Sequence, residues 1–99
     1  MTDSTIATGA IAAIADALHA ARTSARAIAP PSETAGLAAL ADAYAVQRHN
    51  SARRQAEGDR PVGRKIGLTS LAAQRQFGVD QPDLGLLWRS TRFTSGAEV

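Results

Sequence analysis

Half of the apolar residues in this chain are alanine, 22 of 99 positions within a hydrophobic fraction of 44%, and no other feature limits its fold as strongly. Alanine favours helix, yet it removes little area from water when it is buried. Large apolar side chains are few, among them Ile11, Ile14, Leu18, Leu40, Tyr44, Val46, Ile66, Leu84, Leu86 and Trp88. Each contributes roughly 1.5–3 kcal/mol when fully buried. A chain of this length buries only about 65% of its unfolded surface. The expectation is a helical domain with a thin stability margin and a missing partner surface.

Charge and composition exclude several function classes. The 11 basic and 9 acidic residues give a formal net charge of +2, and the four aromatic residues are scattered rather than interleaved with a basic face, so nucleic acid is not an expected partner. With no cysteine there is no disulfide framework and no thiolate chemistry, which fits a reducing cytoplasm. The first eight residues carry no basic group ahead of an apolar stretch, as a secretory signal would. The one apolar candidate for a membrane span is interrupted by Asp16, His19 and Arg22. A cytoplasmic chain without a membrane partner is expected.

From Ser4 to about Ser24, Ile11, Ile14 and Leu18 recur at helical spacing, with Ala10, Ala17 and Ala21 on the same stripe. Arg22 and Arg26 then suit the negative helix end, and Pro30 and Pro31 cannot continue it. Residues 28–36 read as a connector. A second helix is predicted over Leu37 to Glu57, with Leu40, Tyr44, Val46 and Gln47 inward, Arg48, Arg53, Arg54 and Glu57 outward, and Gly58 as the stop. Beyond Gly58 the pattern changes to strand alternation across Arg60 to Thr69. Gly63 and Gly67 inside it mark a bulge or a close approach of another group. Ser70 is placed to cap a short helix over Leu71 to Phe77, ended by Gly78. Turn chemistry through Pro82 leads to a second strand, Leu84 to Trp88, and the tail from Ser90 shows no pattern. The fold class is α+β: two amphipathic helices, then strand, short helix, strand. Residues 1–58 form a helical region, and residues 59–99 begin a β-rich region.

Chemistry concentrates between Gly63 and Gly85. Lys65, flanked by glycines on a strand, can present an ammonium to an anionic substrate with little steric cover. A solvated strand lysine accounts for it as well. Asp80 and Asp83 flank a proline, where aspartate commonly bonds its own backbone. His19 and His49 have neither cysteine nor paired carboxylates at ligand spacing and read as helix-surface residues. HExxH, CxxC, P-loop and GxSxG patterns are all absent. The residues alone leave the function open.

The string GRKIGLTS at Gly63 to Ser70, followed by QRQFGVDQPDLG at Gln74 to Gly85, resembles the hydratase and decarboxylase branch of the fumarylacetoacetate hydrolase superfamily. Within that branch it is most similar to the 2-hydroxypenta-2,4-dienoate hydratases. Ile28 to Thr34 and Asp42 to Gln47 resemble the family's segments in the same order. The resemblance implies a hydro-lyase of aromatic catabolism that is homo-oligomeric and depends on Mg²⁺ or Mn²⁺. It adds water to a 2-hydroxydienoate, whose 2-oxo and carboxylate oxygens suit a hard ion. Lys65 matches the family's active-site lysine and Asp83 its active-site aspartate. Lys65 would bind the substrate carboxylate or deliver a proton, and Asp83 would act as general acid/base or orient water.

The family's Glu-x-Glu metal ligands have no counterpart here, so the resemblance implies an amino-terminal piece that binds no metal alone and docks on the rest of a catalytic domain. Leu71, Leu84 and the Trp88-Arg89-Ser90 run depart from residues common in the family, and Ala38 replaces a frequent helix cap. A 2-oxo-3-hexenedioate (4-oxalocrotonate) decarboxylase fragment is the alternative within the branch. Outside it, the alternative is a non-catalytic truncated or assembly module.

Overall fold

A computed structural model describes residues 6–99. The chain divides into two compact units, Met1–Glu57 and Gly58–Val99. The first holds α1 (Thr8–Ser24), a single turn α2 (Pro31–Thr34) and α3 (Leu40–Ala56). The second holds β1 (Pro61–Gly67), α4 (Leu71–Gln76), β2 (Asp83–Trp88) and a 3₁₀ turn over Arg89–Thr91. The α+β order read from the sequence is observed, with one added helical turn, α2, inside the segment 28–36 read as a connector. Among the described residues no helix is long and apolar enough to cross a membrane.

In the helical unit, Ile11, Ile14 and Ala15 of α1 meet Val46 of α3, with Leu18, Leu37 and Ala45 packed at the margin. The buried alanine of the stripe is Ala15, not Ala17, which faces solvent. Small side chains there let the helix backbones approach, and Asn50 Nδ2 donates to the Ala15 carbonyl at 3.0 Å. Two further pairs, Asp16 with Arg53 and His19 with Glu57, follow in the same order along both helices. The helices therefore run parallel, and the segment between them must carry the chain back along the length of α1.

The helix ends differ in detail from expectation. The predicted start at Ser4 lies outside the described residues, and within them α1 begins at Thr8 after Ala7. It ends because Ala25 adopts a left-handed conformation, φ 54°, and the Arg26 N–H closes back on the Ala21 carbonyl. That closure precedes the prolines. Pro30 and Pro31 instead open α2, where fixed φ and the missing N–H are no handicap. The second long helix starts at Leu40 rather than Leu37, without a side-chain cap, as the alanines at 38 and 39 dictate. Gln47 is exposed rather than inward, and Asp42 takes a buried place that the sequence did not indicate.

In the second unit β1 and β2 pair antiparallel, with a register irregularity between Pro61 and Gly63. The bulge is thus at Val62, beside the first of the two suspected glycines. The strand ends at Gly67, two residues short of expectation, since Leu68 is left-handed at φ 53°. Ser70 caps α4 as predicted, its Oγ accepting from the Ala73 N–H at 3.1 Å. Ser70→Ala is expected to cost about 1 kcal/mol. Urea unfolding with an unchanged m-value, and faster hydrogen exchange at the Ala73 amide, would measure it. At the opposite end of the sheet, Asp59 accepts from the backbone N–H groups of Arg60 and Ser90 at 2.9 and 3.1 Å. It closes the hairpin's open end.

Candidate active site

Antiparallel register decides which side chains share a face. Lys65 pairs with Gly85, and Gly67 pairs with Asp83. Directly opposed residues project to the same side, as do residues two apart on one strand. Lys65 and Asp83 therefore stand diagonally on one face of the sheet, a separation of roughly 7–8 Å between such backbone positions. Gly67 and Gly85 occupy the other diagonal. Gly63, opposite Leu87, continues the same face. The reverse face carries Arg64, Ile66, Leu84 and Leu86.

Two empty positions give each charged side chain a floor. A methyl group on Gly67 would overlap Asp83 Oδ1 outright and lie 3.1 Å from its Cγ, so the carboxylate lies directly over the Gly67 backbone. A methyl on Gly85 would sit 3.4 Å from both Cγ and Cε of Lys65, so the lysine stem crosses that glycine. Both residues are solvent-exposed, and no ion pair engages either of them among the described residues. An ammonium and a carboxylate on one accessible face can bind a carboxylate-bearing ligand at one end and exchange a proton with it, or with water, at the other.

The exit from β1 is held in place from α4. Gln74, 8% exposed, donates from Nε2 to the Leu68 carbonyl at 2.9 Å, across the left-handed residue. A non-glycine residue in that region is strained, and the strain persists only where its surroundings fix it. Ser70 and Gln74 anchor the turn that follows the Lys65 strand.

Other candidates from the sequence lie elsewhere. His19 is 3.8 Å from Glu57 and His49 is exposed on α3, so the two belong to helix surfaces. Asp80 is exposed in the bend before β2. A cleft in the helical unit, lined by residues including Ile11, Ala45 and Arg48, contains the buried carboxylate of Asp42. Among the described residues no three His, Asp or Glu side chains come together to hold a metal ion. Asp83 also shares its face with an ammonium, which opposes a divalent cation there. The residues present do not fit a metal site.

Sequence reasoning named Lys65 and Asp83, and the register brings them onto one face. It missed Gly85 as the position opposite Lys65, Gln74 as the anchor of the turn, and Asp59 as the clasp. For Gly85 the residue type was a signal, a glycine inside a predicted strand, but its place opposite Lys65 follows only from the register across a connection that contains α4.

No family model matches the chain. It is 46% identical over 95 residues to the TodF product hydratase of Pseudomonas putida strain F1, a match covering 96% of this chain and 35% of that protein. It is 48% identical over 86 residues to a 2-keto-4-pentenoate hydratase of Burkholderia vietnamiensis, covering 87% of this chain and 33% of the relative. Among solved structures it resembles the 4-oxalocrotonate decarboxylase of Pseudomonas putida G7, complexed with magnesium and adipate. That likeness has a TM-score of 0.83 at 32% identity over 89% of this chain and 34% of the decarboxylase. The chain spans about a third of the length of the curated relatives it matches.

Proposed function

We propose, from the premise that this chain is homologous to the 2-keto-4-pentenoate hydratases over nearly its whole length, that it is the amino-terminal part of a polypeptide that hydrates 2-hydroxypenta-2,4-dienoate to 4-hydroxy-2-oxopentanoate. The observation that carries the reading is the pairing of Lys65 and Asp83 on one accessible sheet face, in a chain 46–52% identical to hydratases. In this reading the Lys65 ammonium holds the substrate carboxylate or supplies a proton to the dienol. The Asp83 carboxylate orients the incoming water and takes up its proton. The dienol first becomes the 2-oxo-3-enoate, C5 gaining a proton as the 2-hydroxyl loses one. Water then adds at the electrophilic C4, giving up a proton as C3 gains one, which leaves 4-hydroxy-2-oxopentanoate.

Residues 1–58 are then a helical amino-terminal region, and residues 59–99 open the β-rich catalytic region. Ile66 and Leu84, 61% and 55% exposed on the reverse face of the sheet, are the surface that the rest of the polypeptide covers. Any Mg²⁺ or Mn²⁺ is held by residues outside this segment. The whole enzyme is cytoplasmic and homo-oligomeric.

Decarboxylation of 2-oxo-3-hexenedioate is the second reading, favoured by the likeness to the decarboxylase structure. Assaying the whole protein with both substrates separates the two: hydration of the dienoate without CO₂ is expected, and CO₂ release without hydration would replace the first reading with the second. Residues 1–99 alone are expected to show no turnover above background. Acid/base groups are typically worth about 10²–10⁴-fold and cannot supply the rest of the rate enhancement. Turnover by the isolated segment, measured as loss of dienoate absorbance, would overturn the fragment reading.

A further inference from the structure

We infer that Gly67 and Gly85 are positioning residues for the Lys65 and Asp83 pair, each leaving empty the strand position opposite one charged group so that both side chains lie along the sheet face. The inference rests on the proposed roles of Lys65 and Asp83. Glycine inside a strand weakens it, and three fall on one face here, at 63, 67 and 85. Backbone conformation does not require glycine at any of the three. The left-handed glycines of the chain are Gly36, Gly58, Gly78 and Gly96. What distinguishes Gly67 and Gly85 is the space above them.

That space is used unequally. Above Gly67 the carboxylate of Asp83 takes the volume that a methyl group would need. Above Gly85 the Lys65 stem would have to yield by only a few tenths of an ångström, its nearest atoms being 3.4 Å away. Gly63 faces Leu87 Cδ1 at 3.4 Å, and neither of the two residues carries charge. Because Asp83 is exposed, its side chain can rotate away from an added methyl at little cost to folding. Rotation carries the carboxylate off the diagonal it shares with Lys65. A methyl at 67 is therefore mild for stability and severe for the geometry of the pair.

The test is a mutant cycle in the whole protein, using Gly67→Ala, Gly85→Ala, Gly63→Ala, Asp83→Ala and the Gly67→Ala/Asp83→Ala double variant. Gly67→Ala is expected to lower kcat on the order of 10- to 100-fold with KM little changed, as a displaced catalytic group does. Its thermal midpoint should stay within a few degrees of the parent. Gly85→Ala should have a smaller effect, and Gly63→Ala should be neutral. On the Asp83→Ala background, Gly67→Ala should cost nothing further, because its effect passes through that carboxylate. An equal loss on both backgrounds, an unfolded Gly67→Ala protein, or a harmless Gly67→Ala beside a damaging Asp83→Ala would each overturn the inference alone. Normal turnover in Asp83→Ala would instead remove the proposed role of Asp83, and the inference with it.

Discussion

Alanine at position 65 or at position 83 of the whole protein is expected to lower turnover by at least about 100-fold, the low end of what a positioned acid or base contributes. The two side chains share one accessible face and oppose glycines rather than packing partners, so their removal leaves no cavity. Folding stability should accordingly change little, within about 0.5 kcal/mol. Divalent-ion affinity should also hold nearly constant, since no metal cluster forms among the described residues. Steady-state kinetics with titration calorimetry against Mn²⁺ measures both quantities. Near-normal turnover in both variants would mean that the chemistry lies with other residues.

A second large effect belongs to the helical unit. Ile14→Ala is expected to destabilise it by about 2–4 kcal/mol, as large-to-small changes in buried aliphatic positions do. Ile14 is 6% exposed, and its buried neighbours Ile11, Ala15 and Val46 include only two other large side chains. Alanine cannot expand to fill the space left behind, so little of the loss is recovered by relaxation. Ile28→Ala, at a site 47% exposed, serves as the control and should stay within about 0.5 kcal/mol. Chemical denaturation followed by helical circular dichroism compares the two, and a loss in Ile14→Ala no larger than in the control would show that the core lies elsewhere.

Legibility of the fold followed the range of the interactions that determine each feature. Ser70, Gly78 and the strand after Asp83 were readable because caps, turns and alternation are local. The end of α1 was not, since a left-handed Ala25 depends on bonds the turn makes with itself rather than on a residue type that favours it. Asp42 stood out in the sequence only as part of a family-like segment, and its burial in the first turn of α3 arises from tertiary packing. For the site, the residue types at 65 and 83 pointed to chemistry only through family resemblance. Their common face is a property of strand register, which residues 18 positions apart do not reveal until the pairing is known.

Parallel packing of α1 and α3 has a kinetic consequence. An antiparallel helical hairpin starts from near-neighbour contacts at its turn and zips outward, each step closing a slightly larger loop. Here the contacts that join the helices link residues about as far apart at one point as at another, 35 positions for Ala15 and Asn50 and 37 for Asp16 and Arg53. No short loop is available to begin from, so the full closure entropy must be met before any interhelical contact forms. In contact order this helical pair is closer to a strand–helix–strand crossover than to a helical hairpin, and its assembly rate is governed by that one long closure.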